Sequence, residues 1–130
     1  MQLKHLNLTT SEVTSLAEFF ERHFGFKRSL ELGAGVFTLM SNSEDFVLAL
    51  MKPKKNGPVS YPETFHLGFF VADLAAVQAK HDELEAAGLV PGKIHDAGRT
   101  GRGAYFYCNA PGDVVVEIAT APALQTAQAS

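Results

Sequence analysis

The chain has 130 residues, 46% of them hydrophobic and 19% charged, with a formal net charge of -3 at pH 7. That is enough chain for one domain with a sizeable core, and the mild acidity without a basic stripe excludes nucleic acid as the expected partner. No run approaches ~18 consecutive apolar residues and no charged-then-apolar leader opens the chain, so no membrane association is expected. A single cysteine, Cys108, rules out an intrachain disulfide and fits a cytoplasmic location.

In chain order, residues 2–9 alternate as a strand does, with Leu6 and Leu8 on one side and Leu3, His5, Asn7 and Thr9 on the other. From about 12 to 24, Val13, Leu16, Ala17, Phe20 and Phe24 fall at helical spacing; Thr10 or Ser11 is placed to cap this helix and Gly25 to end it. Strand-like runs follow at 26–32, 36–40 and 46–51, separated by Gly33-Ala34-Gly35 and Ser41-Asn42-Ser43-Glu44. The breaker-rich stretch from Pro53 to Pro58 predicts a linker over 53–63 between modules 1–52 and 64–120.

The second module repeats the order. Phe65-His66-Leu67-Gly68-Phe69-Phe70-Val71-Ala72-Asp73 reads as a strand closed by a helix-capping aspartate. A helix over about 74–87 carries Leu74, Val77, His81 and Leu84, with Gly88 at its end. Strand-like runs at 89–95, 103–109 and 113–120 complete the module, and 121–130 reads as a loose tail. Pairing His5 with His66 gives an offset of 61 residues, Gly25 with Gly88 gives 63, and the runs 46–51 and 114–119 give 68. A slowly growing offset is what duplication with loop insertions leaves. The predicted class is α+β: two βαβββ modules pairing into a cupped mixed sheet, helices on the outer face.

These landmarks resemble the vicinal oxygen chelate superfamily, which includes glyoxalase I, fosfomycin thiol transferases, extradiol dioxygenases and bleomycin-resistance proteins. The resemblance rests on Lys4-His5-Leu6-Asn7-Leu8, on Phe19-Phe20-Glu21-Arg22-His23-Phe24-Gly25-Phe26, on Phe65-His66-Leu67-Gly68-Phe69, and on the ending from Ala104 to Ile118. It spans residues 2 to 120 and departs from the family twice. The usual D-P-D-G turn is here Asn109-Ala110-Pro111-Gly112, and Ala49 stands where glyoxalase I-like members carry a fourth, acidic ligand.

The resemblance implies His5, His66 and Glu117 as ligands of a divalent ion, iron, manganese or zinc. Two imidazoles and a carboxylate suit such ions and leave coordination sites open to substrate oxygens. Val114, Val115 and Val116 beside Glu117 support this, since a carboxylate among hydrocarbon wants a cation or hydrogen-bond donors. The alternative is a pair of structural histidines and an edge carboxylate. Tyr105 and Tyr107 share one strand face; Tyr107 is expected to assist proton transfer or merely to pack, and Tyr105 to contact substrate. Phe70 shares a face with His66, and Val47, Ala49 and Met51 share another, giving an apolar substrate wall to which Asn7 adds a polar contact. Arg102, in the loop Gly98 to Gly103, either meets an anionic substrate or stays solvated. His23, His81, His95 and Cys108 are assigned no part in the site.

The expected function is an extradiol dioxygenase-like, metal-dependent enzyme acting on a small molecule, and a homodimer is expected. The alternatives are a lyase or thiol transferase, or a metal-free drug-binding protein.

Overall fold

The computed structural model describes residues 1–98 and 103–122. Its elements run β1 (His5–Thr9), α1 (Val13–Phe24), β2 (Lys27–Leu32), β3 (Phe37–Ser41), β4 (Val47–Met51), β5 (Leu67–Val71), α2 (Leu74–Ala86), β6 (His95–Asp96), β7 (Ala104–Asn109), a 3-10 turn (Pro111–Asp113) and β8 (Val115–Thr120). This is the βαβββ order twice over, with two four-stranded mixed sheets and two helices. By internal contacts the chain forms two units: Met1–Phe65 with Ala110–Val114, and His66–Asn109 with Val115 onward.

In the first unit the strand order is β1-β4-β3-β2, with β1 parallel to β4 and the other pairs antiparallel. The alternation read in the sequence appears as burial: Leu8 is buried while His5 and Asn7 are exposed. Helix α1 covers one face through Val13, Leu16, Ala17 and Phe20, all fully buried. Its apolar stripe also takes in Phe19 and His23, whose rings meet edge-on at 5.6 Å, so His23 is a packing residue. Gly25 ends the helix in the left-handed conformation, its N–H donating to Phe20 O. Neither Thr10 nor Ser11 caps α1. Glu12 holds the cap position without a side-chain bond, and the Thr10 hydroxyl instead accepts from Glu12 N at 3.0 Å. Part of the linker is tied down, because Tyr61 donates its hydroxyl to Thr9 O and stacks on Phe65 at 4.8 Å. Burial pushes the Tyr61 phenol up, against the opposing effect of that bond.

The second unit repeats the plan as β5-β8-β7-β6. Asp73 caps α2, its carboxylate accepting from Ala76 N at 2.9 Å. Val77 and Leu84 are fully buried and His81 sets its ring edge on Phe106 at 5.1 Å, whereas Leu74 remains 47% exposed. The predicted strand 89–95 shrinks to β6, His95–Asp96. Pro91 has no N–H for a ladder, and the one bond to β7 from this stretch before β6 runs from Gly92 N to Tyr107 O at 2.8 Å.

The turn Ala110–Val114 belongs by its contacts to the first unit. Gly112 has φ +78°, and a Cβ there would come within 2.3 Å of Thr10 Oγ1, a residue 1% exposed. Both conformation and space therefore demand glycine at this place. Gly112→Ala should cost about 1–3 kcal/mol, read as a lowered urea midpoint at unchanged slope; an unchanged midpoint would refute this account of the turn.

Candidate metal and substrate site

In the second unit β8 is interior, flanked by β5 and β7. Its side chains alternate between two environments. Val116 and Ile118 are fully buried on the face that α2 covers. Glu117 and Ala119 point to the other face, where Gly68 and Tyr107 lie directly opposite Glu117, and Phe70 and Tyr105 opposite Ala119. Glu117 is only 6% exposed although it is a carboxylate. Gly68 contributes no side chain to cover it; a Cβ there would lie 3.7 Å from Glu117 Oε1.

His66 immediately precedes β5 and is exposed. Its ring meets that of Tyr107 edge-on, centroids 5.3 Å apart, across the width of β8. Tyr107 continues to Tyr105 at 5.9 Å, also edge-on. The unit thus brings together His66, Glu117, Tyr107 and Tyr105, with Phe70, 64% exposed, on the same face. One residue of this face was not anticipated: His95 pairs with Tyr105 in the ladder and stacks on it at 5.1 Å with an interplanar angle of 21°. The signal was present as a histidine next to a strand, but Pro91 obscures the strand phase that would have placed it.

In the first unit His5 lies opposite Val47 and Asn7 opposite Ala49, so these four share one face. His5 Nδ1 stands 3.3 Å from Val47 O. A carbonyl can only accept, so this contact places the proton on Nδ1 and leaves the Nε2 lone pair for a ligand. Ala49 is buried, and the register makes it the counterpart of Glu117: Asn7 faces Ala49 as Gly68 faces Glu117, and Leu39 faces Ala49 as Tyr107 faces Glu117. The carboxylate and phenol of the second unit are thus replaced by hydrocarbon in the first.

Within the second unit His66 and the carboxylate of Glu117 are donor types that suit a divalent ion, and in the first unit His5 offers a ring nitrogen of the same type. Among the described residues, no group of three or more His, Cys, Asp and Glu stands close enough together to hold an ion. Arg102 lies outside the described residues, as does most of the stretch 121–130. Among the described residues, no helix is long and apolar enough to cross a membrane.

A family model, Glyoxalase/Bleomycin resistance protein/Dioxygenase superfamily, matches residues 2–118. The chain belongs to this superfamily. Among solved structures, a possible glyoxalase from Bacillus cereus shares 34% identity and a TM-score of 0.76, over 92% of this chain and 98% of that one. Lactoylglutathione lyase from Agrobacterium tumefaciens shares 19% identity at a TM-score of 0.72, over 92% of each chain. The fosfomycin resistance protein FosX from Listeria monocytogenes, in complex with Mn(II) and a dihydroxypropylphosphonic acid, shares 15% identity at a TM-score of 0.75, over 95% of this chain and 91% of that one. The latter two likenesses, at such identities, bear on the superfamily fold alone. No curated protein matches the chain significantly.

Cys108 is 2% exposed on the helix-covered side of β7, and burial pushes its thiol up. Thiolate is the reactive form, so thiol reagents at pH 8 should modify Cys108 only after denaturant is added. Rapid labelling of the native protein would show that the residue opens to solvent.

Proposed function

We propose that this superfamily member is a metal-dependent enzyme of extradiol dioxygenase-like type, with His5, His66 and Glu117 holding one divalent ion. The observation that carries this is the buried Glu117 carboxylate, facing Gly68 and Tyr107 on the sheet face where His66 also meets Tyr107. When bound, the ion would act as a Lewis acid toward two neighbouring substrate oxygens through its open positions. The chain's own residues have separate tasks. Tyr107 Oη is the group that holds or moves a proton on a substrate oxygen. Tyr105 and Phe70 offer ring surface, while Ala49 leaves room and Asn7 supplies a polar contact. A homodimer and a cytoplasmic location belong to the same proposal.

A second reading, a metal-dependent lyase, is favoured by the 34% identity to a possible glyoxalase. Against it stands Ala49, a methyl group at the register position that holds a carboxylate in the second unit. Fosfomycin-type thiol transfer draws less support, because residues 118–130 contain no arginine to meet a phosphonate.

Anaerobically purified protein should contain about one divalent ion per chain, and His66→Ala or Glu117→Gln should lose most of it. Equal metal content in all three proteins would sink the ligand assignment. With Fe(II), catechol-type substrates should drive oxygen uptake; turnover of an α-oxoaldehyde with a thiol, and no oxygen uptake, would favour the lyase. Light scattering should give twice the 14.0 kDa chain mass.

A further inference from the structure

Asparagine occurs at positions 7, 42, 56 and 109, and its side-chain amide meets different surroundings at each. Asn7 lies in β1 and is followed by Leu8, which is fully buried. Asn42 is locked, because its Oδ1 accepts from Glu44 N at 3.0 Å and from Phe46 N at 2.9 Å. Asn109 closes β7, and the next nitrogen in the chain, Ala110 N, donates to Val114 O at 2.8 Å. Only Asn56 precedes a glycine, and both Asn56 and Gly57 are exposed.

The chain around Asn56 is held at its ends and nowhere between. Lys52 N donates to Val36 O at 2.9 Å, and the Tyr61 hydroxyl donates to Thr9 O. Among the described residues, positions 53–60 make no hydrogen bond or ion pair. The backbone bends over 54–57, as an Asn-Gly pair between prolines predicts. Gly57 has φ +151°, a conformation that residues with a Cβ rarely adopt, and a Cβ built there would meet nothing within 4 Å. The Gly57 nitrogen is thus unbonded among the described residues and open to solvent, within the same dipeptide as the Asn56 carboxamide. A nucleophile and an electrophile so joined react as one molecule, without the cost of bringing them together.

We propose that Asn56 is a site of spontaneous deamidation through a cyclic imide formed with Gly57. The Gly57 amide loses its proton to solvent base, and its nitrogen attacks Asn56 Cγ, forming a new C–N bond that closes the ring. The bond from Cγ to the side-chain nitrogen breaks, and that nitrogen takes a proton from water and leaves as ammonia. Water then adds to either ring carbonyl and breaks its bond to the Gly57 nitrogen. Opening at Cγ gives aspartate; opening at the backbone carbonyl of Asn56 gives isoaspartate. The balance is asparagine plus water to acid plus ammonia, with no change of oxidation state.

Either product adds a carboxylate beside Lys54 and Lys55, both exposed, and makes the formal net charge of -3 one unit more negative. Isoaspartate also routes the chain through Cγ, which lengthens the loop by a methylene group. The ties at Lys52 and Tyr61 lie outside the altered residues, so no hydrogen bond of the fold is lost. The modification therefore records the age of a molecule without unfolding it, and it does not depend on the metal-dependent reading.

The test follows the full-length protein through a warm, mildly alkaline incubation by ion-exchange chromatography and peptide mass spectrometry. An acidic form should accumulate, faster as the pH is raised. The amide-to-acid mass change should map to Asn56, in the tryptic peptide that cleavage after Lys55 opens, and that peptide should divide into two species of equal mass, aspartate and isoaspartate. Asn56→Gln should lose the acidic form and Gly57→Ala should slow its appearance, with melting curves showing both variants folded. Asn56 should react as fast in the native protein as in denaturant, whereas Asn7, Asn42 and Asn109 should be protected by the fold. Aged protein should melt at the same temperature as fresh protein. The proposal is overturned if Asn56 keeps its amide, if the acidic form maps to another residue, if either variant acidifies at the wild-type rate, if the fold protects Asn56, or if ageing lowers the melting temperature.

Discussion

A carboxylate taken out of water on an interior strand is the constraint from which the rest of the second unit follows. Withdrawing such a charge costs several kcal/mol unless donors or cations surround it. Glu117 therefore requires that its face of the sheet be polar and ring-lined while the opposite face, Val116 and Ile118, is pure hydrocarbon under α2. Because strand side chains alternate, core and chemistry are separated by a single residue step. Gly68 completes the arrangement by placing no side chain against the carboxylate from β5.

The same scaffold occurs twice with different contents. Register matching sets Asn7, Leu39 and Ala49 of the first unit in correspondence with Gly68, Tyr107 and Glu117 of the second. The two units share strand order and pairing and each has a histidine at the head of its first strand, but the acid and phenol stand on one side only. That asymmetry confines the acid and the phenol to the second unit.

Much of this was legible in the sequence, because the period of each segment is a local property. Alternation around His5 and His66, the stripe on α1 and the Asp73 cap all translate directly into structure. The offsets of 61 and 68 residues reappear as equivalent register pairs, Asn7 with Ala49 and Gly68 with Glu117. What local pattern could not supply is pairing. The stretch 89–95 has strand composition, yet Pro91 removes a ladder donor and only the last residue of that run pairs in the β-ladder, so His95 stayed outside the expected site. Likewise Thr10 has the chemistry of a cap but spends its hydroxyl on Glu12 N, one residue short of the helix.

The turn around Gly112 has a bearing on how the protein is made. One piece of the N-terminal unit, Ala110–Val114, is encoded late in the chain, after the other unit's segment His66–Asn109 and just before its strand β8. On the ribosome the first half thus emerges with its sheet and helix in hand but with the seat beside Thr10 vacant. Its last contacts wait until the exit tunnel has released the β7–β8 hairpin, so maturation of the two halves is bound to a common late event rather than proceeding strictly from one end to the other.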